Sequence, residues 1–517
     1  YKRSYIRMFA TLENNKRIAK NTAMLYVRML FIIAVSLYTS RIILQALGVE
    51  DYGIYNAVGG VVAMFSIISG SLSAAISRYL TYEIGIGNKQ KLNIIFCTSV
   101  NIQIVMSLIV MVIAEVVGVW FLNTKMNIPA NRLYSANWVL QCSIITFMVN
   151  LISVPYNSLI IAHEKMSAFA YISILEVILK LVICYLLYLF PGDKLILWSV
   201  LLMSVSLIMR IVYGYYSKHH FKEAHYHFIL DKVLLKDMSR FIGWAFFGNG
   251  VVVLKDQGSS ILLNIYCGPV VNAAQGIAMQ VNAAVYGFVN NFLMAVNPQI
   301  TKSYSSGEVS YMHSLILRSE KFAFFILSLF FFPLMANIDY VVGLWLVEVP
   351  KHTSSFIMFI LLYSLLDCFV GPLVTGVLAE GNIRLYQICL TVIYLVNLLA
   401  SFLFLRFGFA PEWVFILNII FKAFVICALL WQSHIKYGFQ ISDFFNQVLF
   451  RSVAVFVLCL LFSSTINICF FTPFWNFIFS AMIIFLFTGL IIYFIGLNKH
   501  ESTFLVETIK KKIKLKG

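Results

Sequence analysis

The chain has 517 residues, of which 61% are hydrophobic and only 12% charged, far more apolar than the roughly half apolar, one-quarter charged mixture of a soluble domain. Thirty-eight Lys and Arg against 22 Asp and Glu leave a formal net charge of +16. A soluble enzyme and an attached nucleotide-binding cassette are both excluded, because the longest polar interruption, 217–240, has room for neither.

A basic leader, Lys2, Arg3, Arg7, Lys16, Arg17 and Lys20, occupies 1–20. The apolar run that follows, 21–47, is too long for a signal-peptide core and reads as a first membrane helix. Further runs fall at 54–82, 92–120, 133–159, 166–190, 195–216, 240–266, 272–300, 313–335, 353–378, 384–405, 411–432, 447–471 and 474–497. Each is long enough to cross a hydrocarbon layer of roughly 30 Å as a helix. The expected fold is all-α and polytopic, with about fourteen transmembrane helices. Short joins such as Gly48–Gly53, Pro191-Gly192-Asp193 and Gly268-Pro269 carry turn chemistry and make neighbouring helices antiparallel. Nine scattered cysteines form no CxxC pair and read as small apolar residues.

Lys and Arg divide unevenly between alternate loops. About 26 fall on one side, against Lys125, Arg132, Lys194, Lys351 and Arg406 on the other. Cytoplasmic loops hold the excess, so both termini are expected to be cytoplasmic, and the net charge needs no nucleic acid to explain it. The tail Lys510 to Lys516 reads either as a segment lying on anionic headgroups or as a solvated end.

Ser40 to Gly48 aligns with Ser260 to Gly268 at an offset of 220 residues, which spans six helices. An even number of helices keeps two repeats in the same orientation. This predicts two parallel six-helix lobes, 21–217 and 240–432, around a central cavity. A cytoplasmic linker, 218–239, joins them; two extra helices occupy 433–497 and a basic tail 498–517.

Ionisable groups inside a bilayer cost several kcal/mol unless they face water or a partner. Arg78 and Arg210 lie near the cytoplasmic ends of their spans and can snorkel, and Arg28 resembles them. Arg41 approaches the outer surface, where a basic residue needs a role. Lys180 stands one turn after Glu176, so it either lines a cavity or is neutralised by that carboxylate. Lys255, Asp256 and Gln257 sit mid-span with side chains about 100° apart, and so are not expected all to hide by pairing with one another. The eighth span adds Asn272, Gln275, Asn282, Tyr286, Asn290 and Asn297 at roughly helical steps, a polar face suited to sugar hydroxyls and phosphate oxygens or to hydrogen bonds between helices. The candidate cavity residues are therefore Arg28, Arg41, Lys180, Lys255, Asp256, Gln257, Asn272, Gln275, Asn282 and Asn290. No P-loop, HExxH or GxSxG appears in a fitting context, and His219, His220, His225 and His227 read as a solvated juxtamembrane cluster. No catalytic group, metal or cofactor is implied, and coupling to protons or sodium is left open.

Asn21-Thr22, Arg28-Met29-Leu30, Ser36 to Arg41, Leu47 to Asn56, Lys255 to Gly258 and Asn297 to Ile300 resemble the Wzx-type polysaccharide and O-antigen flippases. These belong to the multidrug/oligosaccharidyl-lipid/polysaccharide exporter superfamily, and the likeness is most specific over 21–85 and 240–305. The resemblance implies two lobes around a cationic cavity and movement of undecaprenyl-pyrophosphate-linked repeat units from the cytoplasmic to the periplasmic leaflet of a bacterial inner membrane. Implied partners are the polyprenyl-pyrophosphate oligosaccharide, membrane lipids, and the polysaccharide polymerase and chain-length machinery. The two extra C-terminal helices resemble those of lipid II flippases, where such a pair forms a groove for the lipid tail. A lipid II flippase or a cation-coupled multidrug antiporter of the same superfamily is the alternative, although a site for cationic drugs should be dominated by acids. A membrane-embedded glycosyltransferase should show long polar external loops, which this sequence lacks.

Overall fold

The computed structural model describes residues 2–63, 65–124, 128–189, 191–229, 231–346, 349–466 and 472–498, with 501 and 503. Among them every regular element is a helix. The long ones are α1 (Lys2–Ala63), α2 (Ser66–Ile86), α3 (Lys89–Thr124), α4 (Leu133–Ala162), α5 (Met166–Leu189), α6 (Lys194–His220), α7 (Lys232–Cys267) and α8 (Pro269–Ser305). They continue as α9 (Val309–Ala336), α10 (Ile338–Trp345), α11 (Thr353–Glu380), α12 (Arg384–Arg406), α13 (Glu412–Tyr437), α14 (Ile441–Thr465) and α15 (Pro473–Gly496). Helix falls on each of the fourteen expected runs.

Ten of these helices are long and apolar enough to cross a membrane, and the α9–α10 pair, bent by 80°, makes an eleventh. The chain is a multi-pass membrane protein. Helices α7 and α8 stand outside that apolar group, and they are the two that carry Lys255-Asp256-Gln257 and the amide stripe.

Boundaries follow from local chemistry. Asn88 Oδ1 accepts from Lys91 N (3.1 Å) at the start of α3, and Asp193 Oδ1 accepts from Leu195 N (2.9 Å) at the start of α6. Both satisfy backbone donors that a helix start leaves open. The expected 220-residue repeat recurs in the backbone. Gly48 interrupts α1 at φ 80°, and Gly268 separates α7 from α8 at φ 87°. Gly87 ends α2 at φ 83°, and Gly307 follows α8 at φ 77°. Both pairs are 220 residues apart, and only glycine adopts this left-handed region without strain. A third correspondence is chemical. Arg132 Nη1 bonds Asp193 Oδ2 (3.0 Å), while His352, again 220 residues on, bonds Glu412 Oε1 through Nδ1 (2.5 Å). Each bond ties the start of one long helix to the start of the helix two further along.

Residues form two compact units, 1–250 with 301–307, and 251–300 with 308–517. In the first, α4 packs on α2, α3 and α6, and α1 on α5. Its core includes Ile54, Val58, Ala136, Val139 and Leu195. The end of α8 comes so close to α2 that a Cβ on Gly85 would lie 1.7 Å from Ser305 Oγ and 2.8 Å from Lys302 O. In the second unit α11 packs on α9 and α13, with rings stacked at Phe324–Phe369 (5.4 Å) and packed at Phe356–Phe415 (4.4 Å). The last two helices lie against α9. Ser480 donates to Asn337 Oδ1 (2.8 Å), and Phe456 meets Phe331 (6.0 Å).

The linker differs from the solvated segment expected of it. Its histidine side chains are exposed, but its backbone is strapped to α3 by Asn93 Nδ2, which donates to the carbonyls of Glu223 (2.8 Å) and His225 (3.0 Å), and by Asn101 Nδ2, which donates to that of Ile229 (2.9 Å). Asn93, Cys97 and Asn101 stand four residues apart on one face, so a helix row reads a strand-like strap through its carbonyls. No group of side chains suited to a metal ion occurs among the described residues. The tail Lys510 to Lys516 lies outside them.

Candidate functional site

The second unit concentrates charge among five helices. Lys422 Nζ on α13 donates to Asp367 Oδ1 on α11 (2.6 Å), and Tyr286 Oη on α8 donates to Asp367 Oδ2 (2.8 Å). Lys255 Nζ on α7 pairs with Asp256 Oδ1 (2.8 Å). The ring of Tyr363 links the two pairs, with Lys422 Nζ 4.4 Å and Lys255 Nζ 5.0 Å from its centroid; Tyr394 on α12 lies 5.3 Å from Lys255 Nζ. Such ring faces attract ammonium groups, most strongly away from water. Beside Tyr363, Ser364 Oγ donates to Asn282 Oδ1 (2.7 Å).

Burial is uneven within each pair. The ammonium-bearing side chains are 5% and 3% exposed, whereas Asp256 and Asp367 keep 40% and 30%. The cluster thus matches two bases with two acids, and its carboxylates are the more accessible members. On α12, Gln387, Tyr394, Asn397 and Ser401 are buried on one face, and both amide atoms of Asn397 and the Ser401 hydroxyl lack a hydrogen-bond partner among the described residues. Gly258 lets α7 approach this helix, since a Cβ there would lie 2.9 Å from Leu398. Unsatisfied buried polar atoms are costly in a low-dielectric interior and mark a place where water or a ligand group can bond.

The first unit offers a cavity of about 420 Å³, lined by Tyr55 of α1, Ser143, Thr146 and Asn150 of α4, and Ser199 of α6. Its polar lining carries no charge. Three arginines of this unit are instead seated on rings: Arg28 over Phe169 (4.5 Å), Arg78 over Tyr79 (4.7 Å) and Arg210 over Tyr156 (3.9 Å). The buried Nε of Arg28 has no hydrogen-bond acceptor among the described residues.

Residues 18–306 match the model of the family described as polysaccharide biosynthesis protein. The chain belongs to this family. No curated protein matches the sequence. Solved structures of MATE transporters share the fold. An outward-facing multidrug resistance MATE family transporter of the MOP superfamily aligns with TM-score 0.67 at 14% identity, over 81% of this chain and 96% of that one. A MATE structure in the bent conformation gives 0.66 at 13%, over 81% and 97%. A Vibrio cholerae MATE transporter gives 0.66 at 15%, over 82% and 97%.

Within the chain the ten candidate residues separate. Lys255, Asp256 and Asn282 belong to the charged and aromatic cluster of the second unit. Gln275 is buried with an unpartnered Oε1, while Gln257 and Asn290 are exposed. Lys180 bonds Glu176 Oε1 (2.6 Å), which is the neutralised alternative. The side chains of Arg41 and Asn272 lie outside the described residues. Adjacent positions 255 and 256 pair, because a long lysine stem bends its ammonium across the angle between neighbouring Cβ atoms, while Gln257 stays exposed, so the three do not all hide by pairing with one another. Tyr363, Tyr394 and Lys422 were missed as site residues. The row Gln387, Thr391, Tyr394, Asn397 and Ser401, at steps of three and four, carried the signal for α12, as Ser143, Thr146 and Asn150 did for α4.

Proposed function

We propose that this protein is a flippase that carries polyprenyl-pyrophosphate-linked oligosaccharide, with undecaprenyl as the lipid, from the cytoplasmic to the periplasmic leaflet of a bacterial inner membrane by alternating access. Both termini are then cytoplasmic, as the Lys and Arg bias indicates, and the glycan enters O-antigen, capsular or exopolysaccharide assembly alongside a polymerase and chain-length machinery. Family membership supports the pathway, and the shared MATE fold supports movement across the bilayer.

The observation that carries the substrate class is the cluster of Lys255, Lys422, Tyr363, Tyr394, Asn282 and Tyr286. Ammonium groups suit phosphate, aromatic faces suit the C–H faces of sugar rings, and amides exchange hydrogen bonds with hydroxyls. Because each lysine already holds a carboxylate, binding is an exchange. The half-exposed Asp256 gives up Lys255 to the incoming pyrophosphate. Outward movement of each negative charge across an inside-negative membrane yields roughly 2.3 kcal/mol per 100 mV.

Proteoliposomes loaded with lipid-linked oligosaccharide test this reading. Wild-type protein should expose the glycan to an external glycosidase, and Lys255→Met, folded by size-exclusion profile, should slow exposure at least tenfold. Export of a cationic dye with no movement of the glycan lipid would replace this reading with the multidrug antiporter, for which the acids Asp256 and Asp367 would be the binding groups.

A further inference from the structure

Four carboxylates are buried among the described residues, and three have basic partners. Asp51 bonds Arg132, Glu83 bonds Lys91 (2.6 Å) and Glu164 bonds Arg17 (2.9 Å). Glu320, on α9, is 0% exposed, and neither of its oxygens has a hydrogen-bond partner among the described residues. An ionised carboxylate cannot be held in that state, since desolvation without compensation costs far more than taking up a proton.

Surrounding elements show why no counter-charge reaches it. On α9 itself, Lys321, the next residue, is turned away and bonded to both oxygens of Glu501 (2.9 and 2.7 Å), and Arg318, two residues earlier, does not share the face of Glu320. Helix α11 meets this face with Gly376, where a Cβ would lie 2.7 Å from Tyr437 Oη and 3.0 Å from Ile316 Cδ1. Its two acids are occupied elsewhere, Asp367 with Lys422 and Glu380 with Lys436 (2.6 Å). On α10, Asp339 accepts from Ser354 (2.7 Å). Helix α15 has no charged residue. Helix α14 carries Asp443 and Arg451, and neither forms an ion pair with Glu320 among the described residues. Tyr437, from α13, brings its hydroxyl to this face, 2.7 Å from where a Cβ on Gly376 would stand.

Tyr437 also supplies a way out. Its hydroxyl donates to Ser433 Oγ (2.6 Å), and its carbonyl bonds His313 Nε2 (3.1 Å). His313 lies seven residues before Glu320, two turns nearer the start of α9 on the same face, and its ring is half-buried beside that of Tyr437 (5.6 Å). We propose that Glu320 is a proton-binding site, neutral in the conformation described and exchanging with the cytoplasmic side past Tyr437 and His313, so that transport is linked to proton movement. On release the carboxyl O–H bond breaks, the proton passes to a nitrogen of His313 or to water, and the carboxylate left behind requires a conformation that hydrates it. On loading the steps reverse, with cytoplasmic water as the source.

The proton site is tested without substrate, and its link to transport, which rests on the flippase reading, is tested separately. Infrared spectra of the purified full chain at neutral pH should show a protonated-carboxyl C=O band that shifts in D2O. Glu320→Gln, which preserves shape and neutrality, should remove that band, and Glu308→Gln, at an exposed position, should leave it. A band absent from wild type or unchanged in Glu320→Gln overturns the proposal. In proteoliposomes, an imposed pH gradient should change the wild-type glycan flux, and Glu320→Gln should abolish that dependence while flux without a gradient remains measurable. A gradient response equal in both overturns the link to transport. Wild-type protein that keeps the band but moves no glycan lipid refutes the flippase reading and supports the proton site alone.

Discussion

Replacing Asp367 by asparagine removes the charge that Lys422 Nζ meets at 2.6 Å and that Tyr286 Oη meets at 2.8 Å. Lys422 is only 3% exposed and Asp367 is the acid it bonds among the described residues, so its ammonium would be left without that partner in a buried site. Breaking a buried pair by removing one partner costs about 3–5 kcal/mol. Asp367 keeps 30% exposure, which lets water relieve part of the loss and places the expected value near the lower bound, about 3 kcal/mol. That is roughly a hundredfold in the folding equilibrium. Lys422→Met should be milder, because a half-exposed carboxylate is left with the tyrosine hydroxyl still donating to it. The double variant Asp367→Asn, Lys422→Met removes both charges and should recover most of the deficit, giving a coupling of about 2 kcal/mol in a double-mutant cycle. Reversible SDS unfolding in mixed micelles measures it. Additive losses, with the double variant less stable than either single one, would show that the two side chains do not stabilise each other and would refute the reasoning.

The start of α6 gives a pH prediction. Burial raises the proton affinity of Asp193, but the Ser135 hydroxyl, the N–H of Ile196, the Arg132 guanidinium and the N–H of Leu195 outweigh it and hold the carboxyl below its ordinary range. Its stabilisation is therefore complete above the unfolded value near 4 and is lost as pH falls through the lower folded value; Arg132→Leu should flatten this part of an acid-unfolding curve. Gly85→Val should abolish the approach of α8 to α2 and lower the yield of folded protein. Adding Ser305→Ala should restore little of it, because the Lys302 carbonyl still stands 2.8 Å from the new Cβ.

Much of the architecture is legible in the amino-acid order because a bilayer imposes a one-dimensional rule. A helix needs an apolar run of fixed length, and most runs between 21–47 and 474–497 meet it, those of α2, α7 and α8 being the more polar. The repeat was legible for a related reason: Gly48 and Gly268 are written where the backbone turns left-handed, and few residues other than glycine tolerate that. The candidate site was legible only as an inventory. Periodicity placed Asn282 and Tyr286 on one face of α8, but could not say that Ser364 and Asp367 would meet them.

The sequence by itself determined the membrane class, the all-helical fold, the left-handed breaks and the stock of buried charge, since those depend on the composition of each segment and on local backbone sterics. Only the tertiary structure decided which charges neutralise one another. Lys422 meets a carboxylate 55 residues away, whereas neither oxygen of Glu320 finds a hydrogen-bond partner among the described residues. Pairing depends on distances of a few ångströms between helices remote in sequence, and such distances are set by packing that no local pattern encodes.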